Sequence, residues 1–248
     1  MKIILSPAKK MRVETDSFAT TGLPVFLDRT EILLSYLQSL SLEELKDLWK
    51  CNQNLAELNF ERVRNMDLYH NLTPSILSYE GIAYRSMAPE VFTQSAFDYV
   101  QDHLRILSGF YGVLKPFDGV TPYRLELGAK PSLTGFQDLY DFWGDSLYRE
   151  VADGDHVILN LASKEYAKAV EKYLEPSDRF LTIVFGEWKG DKVIQKATMA
   201  KMARGDMVRY LAENQITDLT ELRSYHNLNY RFHEELSSEK KYVFLREP

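Results

Sequence analysis

The alternation of apolar and polar positions predicts helices and short strands in mixed order along the chain. Apolar residues recur at three- and four-residue spacing over residues 28–39, 42–50 and 53–64, which is the period of an amphipathic helix. Ser41 is followed three residues later by Glu44, so a capping box marks the start of the second helix. We expect these N-terminal helices to be structural.

Short apolar runs predict buried strands. The clearest are residues 2–6 and 156–161, and each ends in a polar turn. Because the two runs share this pattern, we expect them to be central neighbours in one sheet, with their polar ends at the same edge. A hairpin is predicted around Gly190 and Asp191, and a second one near the C-terminus around Ser237.

Residues 105–145 interleave glycines, aromatic residues and basic residues, which suggests a shaped surface for a polar or anionic partner. The preceding residues 94–107 have a helical period that ends at a short segment bounded by Gly109 and Gly112. A helix, a short hairpin and a second element are typical of the helix-hairpin-helix, whose hairpin N–H groups contact DNA phosphates. The alternative is a glycine that ends the helix, followed by a tight turn.

A further helix is predicted over residues 137–151, where Asp138, Asp141 and Asp145 share one face. Paired carboxylates can bind a metal or act as acid and base. They also lie near the predicted helix start, where acidic side chains stabilise the helix dipole. We therefore favour a capping role.

Two strand ends and one helix carry candidate anion-binding residues. Strand ends of open α/β sheets bind ligands, and a strand-to-helix turn exposes free N–H groups. The alternative for the first strand end is a solvated loop. The alternative for the second is an ordinary N-cap. The helix predicted over residues 199–213 places basic and small residues on one arc. Such a face suits contact with a phosphate backbone. The alternative is a solvated helix face without a ligand. The candidates are Ser6, Lys9 and Lys10; Asn160, Ser163 and Lys164; and Lys201, Arg204 and Arg209 beside Gly205, Val208 and Ala212.

Composition narrows the class of protein. The net charge of −6 argues against a broadly basic nucleic-acid coat but permits a local basic patch. Cys51 is the only cysteine, which excludes an intrachain disulfide and a multi-cysteine zinc site, and we expect it to be a buried, inert thiol. No apolar run approaches the roughly 20 residues of a membrane span. We expect a cytoplasmic protein with no cofactor, metal or membrane partner, and predict no oligomeric state.

Long motifs occur in a distinctive order, namely LSPAKK, LSGFYGVLKPFDGVTPYRLELG, DLYDFWGD, NLASKEY and KMARGDMVRYL. Over nearly its whole length the chain resembles the YaaA family of bacterial peroxide stress response proteins. The resemblance implies one compact domain of unusual topology over residues 1–248, a role in surviving hydrogen peroxide that limits iron-driven damage, and binding of double-stranded DNA through a basic cleft. It supplies no catalytic residue. The chain departs from the family pattern at Lys164, where relatives have Asp or Asn, and at Asn229-Tyr230 in place of Gly-Tyr.

The predicted fold is α/β or α+β, with a mixed sheet flanked by helices and a helix-hairpin-helix-like element. The first function hypothesis is a peroxide stress protein that binds double-stranded DNA. The alternative is an enzyme that acts on a nucleotide or nucleic-acid base, or at least a site for a phosphate-containing small molecule, at the two strand ends. An open basic groove favours the first hypothesis and a pocket with convergent polar groups favours the second. Candidate binding residues outside the strand ends and the basic helix are Gly109, Gly112, Lys115 and Arg124.

Overall fold

The computed structural model describes residues 1–14, 18–152 and 154–247. Its strands are β1 (Lys2–Leu5), β2 (Lys10–Met11), β3 (Thr73–Pro74), β4 (Tyr79–Glu80), β5 (Leu104–Ser108), β6 (Gly112–Leu114), β7 (Gly119–Val120), β8 (Val157–Asn160), β9 (Arg179–Lys189), β10 (Lys192–Ile194), β11 (Tyr230–Phe232) and β12 (Lys241–Arg246). Its α-helices are α1 (Leu27–Ser39), α2 (Leu42–Trp49), α3 (Gln53–Arg64), α4 (Ser75–Ser78), α5 (Ile82–Met87), α6 (Gln94–His103), α7 (Leu139–Trp143), α8 (Ser146–Val151), α9 (Lys164–Glu171) and α10 (Ala197–Glu213). Short 3-10 helices lie at Pro89–Val91, Leu219–Ser224, Asn227–Asn229 and Glu234–Leu236.

The main sheet is mixed and has the strand order β11-β12-β9-β8-β1-β5-β6, with β10 paired to β9. Strand β1 lies parallel to both β8 and β5, and β8, β9 and β12 continue the parallel part of the sheet. The outer pairs β11–β12 and β5–β6 are antiparallel. The expected central pairing of the two short apolar strands is confirmed, because β1 and β8 are direct neighbours.

The predicted hairpins and N-terminal helices are present. Ser41 accepts a hydrogen bond from the backbone N–H of Glu44, whose side chain accepts one from the backbone N–H of Ser41, so the capping box is confirmed. Strands β9 and β10 flank Gly190 and Asp191 as expected. Buried apolar side chains form one cluster that extends from Met1 to Phe244, so the helices and the sheet share a single core.

The segment predicted as helix-hairpin-helix is instead a helix followed by two antiparallel strands. Helix α6 ends at His103, and residues 104–108 continue as strand β5. Gly109 is buried so tightly that an added Cβ would lie 2.5 Å from the carbonyl oxygen of Leu125. Gly112 is also buried and begins β6. Because both glycines lie inside the protein, their N–H groups do not face a DNA backbone.

The helix predicted over residues 137–151 is broken at Gly144 into α7 and α8. Asp138 caps α7 by accepting a hydrogen bond from the N–H of Asp141, which agrees with the favoured capping role. Asp145 lies beyond the break and forms an ion pair with Arg149. The three carboxylates therefore make separate local contacts and do not share one helix face.

Helices α5 and α10 pack closely against each other, and this contact brings α10 to the sheet edge. Residues 82–84 begin α5. A Cβ at Gly205 would lie 1.8 Å from the carbonyl oxygen of Ala83, so only glycine permits this approach. Within the described parts of the chain, no helix is long and apolar enough to cross a membrane.

Candidate functional site at the strand ends

The polar ends of β1 and β8 meet, as the sequence predicted. The backbone N–H of Ser163 donates to the hydroxyl oxygen of Ser6 at 2.8 Å, and the Ser6 hydroxyl donates to that of Ser163 at 3.2 Å. Ser163 is the N-cap residue of α9, yet its side chain makes no capping hydrogen bond. Its hydroxyl contacts the other strand end instead, so the turn links the two strands.

A cavity of about 550 Å³ opens beside this junction, and we call it the edge pocket. The residues after β1, the start of α5, the segment after β7, the start of α9 and one side of α10 all contribute to its wall. It is lined by residues 5–10, 80–84 and 123–126, and by Leu161, Ser163, Glu165, Tyr166, Lys201 and Arg204.

Helix α10 contributes two cations to the edge pocket. Lys201 is exposed, and no acidic group of the described residues lies within ion-pair distance of it. Arg204 is half-buried, its buried Nε has no hydrogen-bond acceptor, and it too has no ion-pair partner in the described ranges. Burial lowers the pKa of Arg204 because a charged guanidinium loses solvation there. The pocket therefore contains an uncompensated positive charge.

A second group of charges links the loop after β1 to the segment after β7. Glu126 contacts Lys9 at 2.8 Å through one carboxylate oxygen and Arg124 at 3.6 Å through the other. The Arg124 side chain is only 11% exposed, and its Nε also has no acceptor. Lys10 pairs with Glu80 at 2.6 Å, and this contact lowers the pKa of Glu80 and keeps its carboxylate ionised.

Tyrosines form the floor of the edge pocket. The Tyr84 hydroxyl donates to the carbonyl oxygen of Ser6 at 3.0 Å, and the Tyr123 hydroxyl lies 2.8 Å from that of Tyr79. Burial raises the pKa of Tyr84, Tyr123 and Tyr166, so these phenols stay neutral. Sequence reasoning did not assign Tyr84, Tyr166 or Glu165 to the site. The aromatic and glycine content of YEGIAY was the available signal for Tyr84.

A second cavity, of about 790 Å³, adjoins the edge pocket, and we call it the side cavity. The two cavities share Lys9, Arg124, Glu126 and Glu165. The Glu165 carboxylate accepts a hydrogen bond from the N–H of Gly128 at 2.9 Å, which holds it in the shared wall. The other lining residues are Tyr36, Leu40, Glu44, Asp47, Leu48, Trp49, Lys50, Gly128, Ala129, Lys130 and Ser132.

The predicted basic face of α10 is not one continuous surface. Gly205, Val208 and Ala212, which share its arc, are buried against neighbouring elements. Lys201 and Arg204 reach the edge pocket, whereas Arg209 pairs with Glu213 at 2.7 Å farther along the helix. Arg209 therefore does not share the edge pocket with Lys201 and Arg204, and its contact with a phosphate stays a prediction.

Other sequence candidates lie outside the edge pocket. Asn160 is buried and accepts a hydrogen bond from the N–H of Ala162, so it stabilises the turn after β8. Lys164 is exposed but does not line the pocket. Lys115 lies elsewhere, and its backbone N–H donates to Asp118. Of the predicted residues, the structure brings together Ser6, Lys9, Lys10, Arg124, Ser163, Lys201 and Arg204.

The donor set of the site suits an anion better than a cation. Among residues 1–14, 18–152 and 154–247, no three histidine, cysteine, aspartate or glutamate side chains are grouped so that they could hold a metal ion. The carboxylates of the shared wall are each bound by a cation or a backbone N–H. Arginine N–H groups match phosphate oxygens in geometry and charge. The arrangement therefore favours binding of a phosphate-containing ligand.

Comparisons with known proteins agree with the sequence motifs. The model of a family described as peroxide stress protein YaaA matches residues 1–236. A UPF0246 protein of Agathobacter rectalis is 56% identical over 99% of both chains. One from Lachnoclostridium phytofermentans is 53% identical over 99% of this chain and 96% of its own, and one from Ligilactobacillus salivarius is 48% identical over 99% and 100%.

Proposed function

This chain belongs to the peroxide stress protein YaaA family, and we propose that it serves that response by binding a nucleotide in the edge pocket. The nucleotide phosphate contacts Arg204 and Lys201, and its base lies toward the tyrosine floor. No catalytic residue is assigned, and the proposal is one of binding.

The uncompensated charge of Arg204 carries this proposal. A partly buried cation without a partner is unfavourable, because burial removes part of its hydration and no attraction replaces it. Arg204 has neither an acidic partner nor an acceptor for its Nε among the described residues. A phosphate in the edge pocket supplies a counter-charge to the guanidinium and oxygen acceptors to those of its N–H groups that line the pocket.

The size and polarity of the pocket also support a nucleotide. Its volume of about 550 Å³ lies within the roughly 300–1,000 Å³ range of small-molecule sites. Tyrosine rings offer apolar surface to a base, and the phenol groups are neutral. A base within a duplex is stacked and paired, so it reaches such a pocket only after it leaves the stack.

Double-stranded DNA is the second candidate ligand, and the exposed lysines at the mouth of the edge pocket favour it. The Lys9 and Lys10 side chains are 67% and 78% exposed, and Lys201 is exposed as well. Exposed lysines contact phosphate backbones without reading sequence. In that case, the protein would limit iron-driven damage by covering the DNA to which it binds.

The nucleotide proposal is tested by calorimetric titration with adenosine monophosphate. We expect Arg204→Gln to lower affinity about tenfold or more, the size of one charge-assisted contact. Arg209→Gln is the matched control, because Arg209 lies on the same helix but outside the pocket. Wild-type affinity in a folded Arg204→Gln protein would contradict the proposal.

The DNA candidate is tested by measuring the affinity for a short duplex at several salt concentrations. Each lost phosphate contact should reduce the log–log slope by about 0.9. We expect a flatter slope for Lys9→Gln and Lys201→Gln, and an unchanged slope for Arg209→Gln. Duplex binding with these slopes, in the absence of adenosine monophosphate binding, would favour the second candidate.

A further inference from the structure

The Glu126 carboxylate lies between two cations and contacts each through a different oxygen. Its Oε2 is 2.8 Å from Lys9 Nζ, and its Oε1 is 3.6 Å from an Arg124 Nη2. A carboxylate that bridges two cations in this way resembles a phosphate that presents two oxygens to the same pair. The protein thus holds an internal anion at a position suited to an external one.

This cluster lies in the wall between the edge pocket and the side cavity. Lys9, Arg124 and Glu126 line both cavities. The Lys9 and Glu126 side chains are 67% and 30% exposed, whereas Arg124 is 11% exposed. Exposed ion pairs contribute little to stability, so the contact between Lys9 and Glu126 can be exchanged at low cost. The more buried Arg124 keeps its place.

Arg124 has an unsatisfied group that Glu126 does not fill. Its Nε is buried and has no acceptor, and its contact with Glu126 is through Nη2 at the long distance of 3.6 Å. A buried donor without an acceptor is unfavourable. A tetrahedral anion offers several oxygens to the guanidinium N–H groups that line the two cavities, where the carboxylate makes one long contact.

The proposed nucleotide site therefore has two cationic centres. One consists of Lys201 and Arg204, which have no ion-pair partner among the described residues. The other consists of Lys9 and Arg124, which Glu126 occupies. We infer that Lys9 and Arg124 form a second phosphate subsite, which Glu126 closes until a ligand with two phosphate groups displaces it. This inference rests on the proposed nucleotide site at Arg204.

The exchange explains what Glu126 does for specificity. A ligand with one phosphate binds at Arg204 and leaves the Glu126 contacts intact. A ligand with two successive nucleotide phosphates replaces the carboxylate, which turns toward the side cavity and solvent. Such a ligand is a phosphorylated dinucleotide, either free or as part of a nucleic-acid strand. Glu126 then acts as a specificity-determining residue that disfavours partial occupancy of the second subsite.

The test compares adenosine monophosphate with a 5′-phosphorylated deoxyadenosine dinucleotide by calorimetric titration. We expect Glu126→Gln to raise dinucleotide affinity about tenfold, because both cations are released from competition, and to change adenosine monophosphate affinity much less. Lys9→Gln should lower only the dinucleotide affinity. Glu80→Gln is the matched control for the loss of one negative charge from the same pocket, since Glu80 pairs with Lys10. Titrations at high salt suppress the long-range electrostatic effects of removing a charge.

The outcomes separate this inference from the function on which it rests. Equal gains from Glu126→Gln and Glu80→Gln, or equal gains for both ligands, would overturn the second subsite while leaving the Arg204 site intact. A loss of dinucleotide affinity in a folded Glu126→Gln protein would also overturn it. Failure of both ligands to bind wild-type protein would overturn the proposed function itself. A selective gain seen also with a short duplex identifies a DNA strand as the source of the phosphates, and a gain confined to the dinucleotide identifies the free molecule.

Discussion

The backbone N–H of Ser163 donates a 2.8 Å hydrogen bond to the hydroxyl of Ser6, which lies 157 residues earlier in the chain. Together with the hydrogen bond from the Ser6 hydroxyl to the Ser163 hydroxyl, it joins the ends of β1 and β8, and both serines line the edge pocket. The adjacent β1–β8 ladder continues beyond β8, because the N–H of Leu161 donates to the carbonyl of Ile4. The junction is therefore both a structural link and part of the proposed site.

Ser6→Ala should destabilise the protein. The Ser163 N–H would lose its acceptor in a partly buried place, at a cost of about 1–2 kcal/mol. Denaturant unfolding measures the change in unfolding free energy. Ser39→Ala is the control, because its hydroxyl donates to the Tyr36 carbonyl at the exposed end of α1. Equal losses of unfolding free energy in the two variants would show that the Ser6 hydrogen bond stabilises the protein no more than the exposed Ser39 hydrogen bond does.

Gly205→Ala should separate α10 from α5. The added Cβ would lie 1.8 Å from the Ala83 carbonyl oxygen, and backbone must move to accept it. Overpacking of this kind should lower the unfolding free energy by about 3 kcal/mol or more, measured by thermal and denaturant melts. Gly22→Ala is the matched control, since no atom lies within 4 Å of its built Cβ. A stable Gly205→Ala protein would contradict the close helix contact.

Asp118→Asn should remove a pH-dependent loss of stability. Burial raises the pKa of Asp118 from 3.8 to about 6, so the folded protein binds more protons than the unfolded chain between those values. The stability that Asp118 contributes is therefore fully present below pH 3.8 and is lost as pH rises through about 6. At neutral pH the asparagine variant should be more stable by about 1–3 kcal/mol, because its amide oxygen still accepts from the Lys115 N–H.

Denaturant melts across that pH range measure the Asp118 effect, and Asp218→Asn is the control. Asp218 accepts a hydrogen bond from the N–H of Thr220, which lowers its pKa. Its contribution is lost only as pH falls below the usual titration range of aspartate. From weakly acidic to neutral pH, the unfolding free energy of the Asp218 variant should therefore change with pH as it does in the wild type. If the unfolding free energy of Asp118→Asn changed with pH as steeply as that of the wild type, the raised pKa of Asp118 would be disproved.

Cys51→Ser should protect cells from peroxide as well as the parent protein does. The sequence predicted a buried, inert thiol, but Cys51 is half-buried and follows the C-cap of α2. As the only cysteine, it has no resolving partner within the chain. Survival of a strain that carries the variant as its only copy measures protection. Loss of survival with unchanged protein level and melting temperature would identify Cys51 as a sensor.

Local sequence patterns determined much of the fold. The capping box of Ser41 and Glu44 and the turn residues around Gly190 specify structure through contacts a few residues apart, so they are visible without the rest of the chain. The pairing of β1 with β8 was also predictable, because buried strands with polar ends have few positions in an α/β sheet. These features located the junction between the strand ends, whereas the long motifs identified the family.

Tertiary packing decided the features that local patterns leave open. Residues 104–107 are apolar enough for a helix or a buried strand, and pairing with β1 and β6 made them strand β5. A helical wheel placed Arg204 and Arg209 on one arc, but the close approach of Gly205 to Ala83 directs Arg204 to the edge pocket, while Arg209 pairs with Glu213. The bridging of Lys9 and Arg124 by Glu126 likewise depends on segments more than a hundred residues apart. Side-chain partners across such separations depend on how whole elements pack, and no short-range pattern in the sequence encodes them.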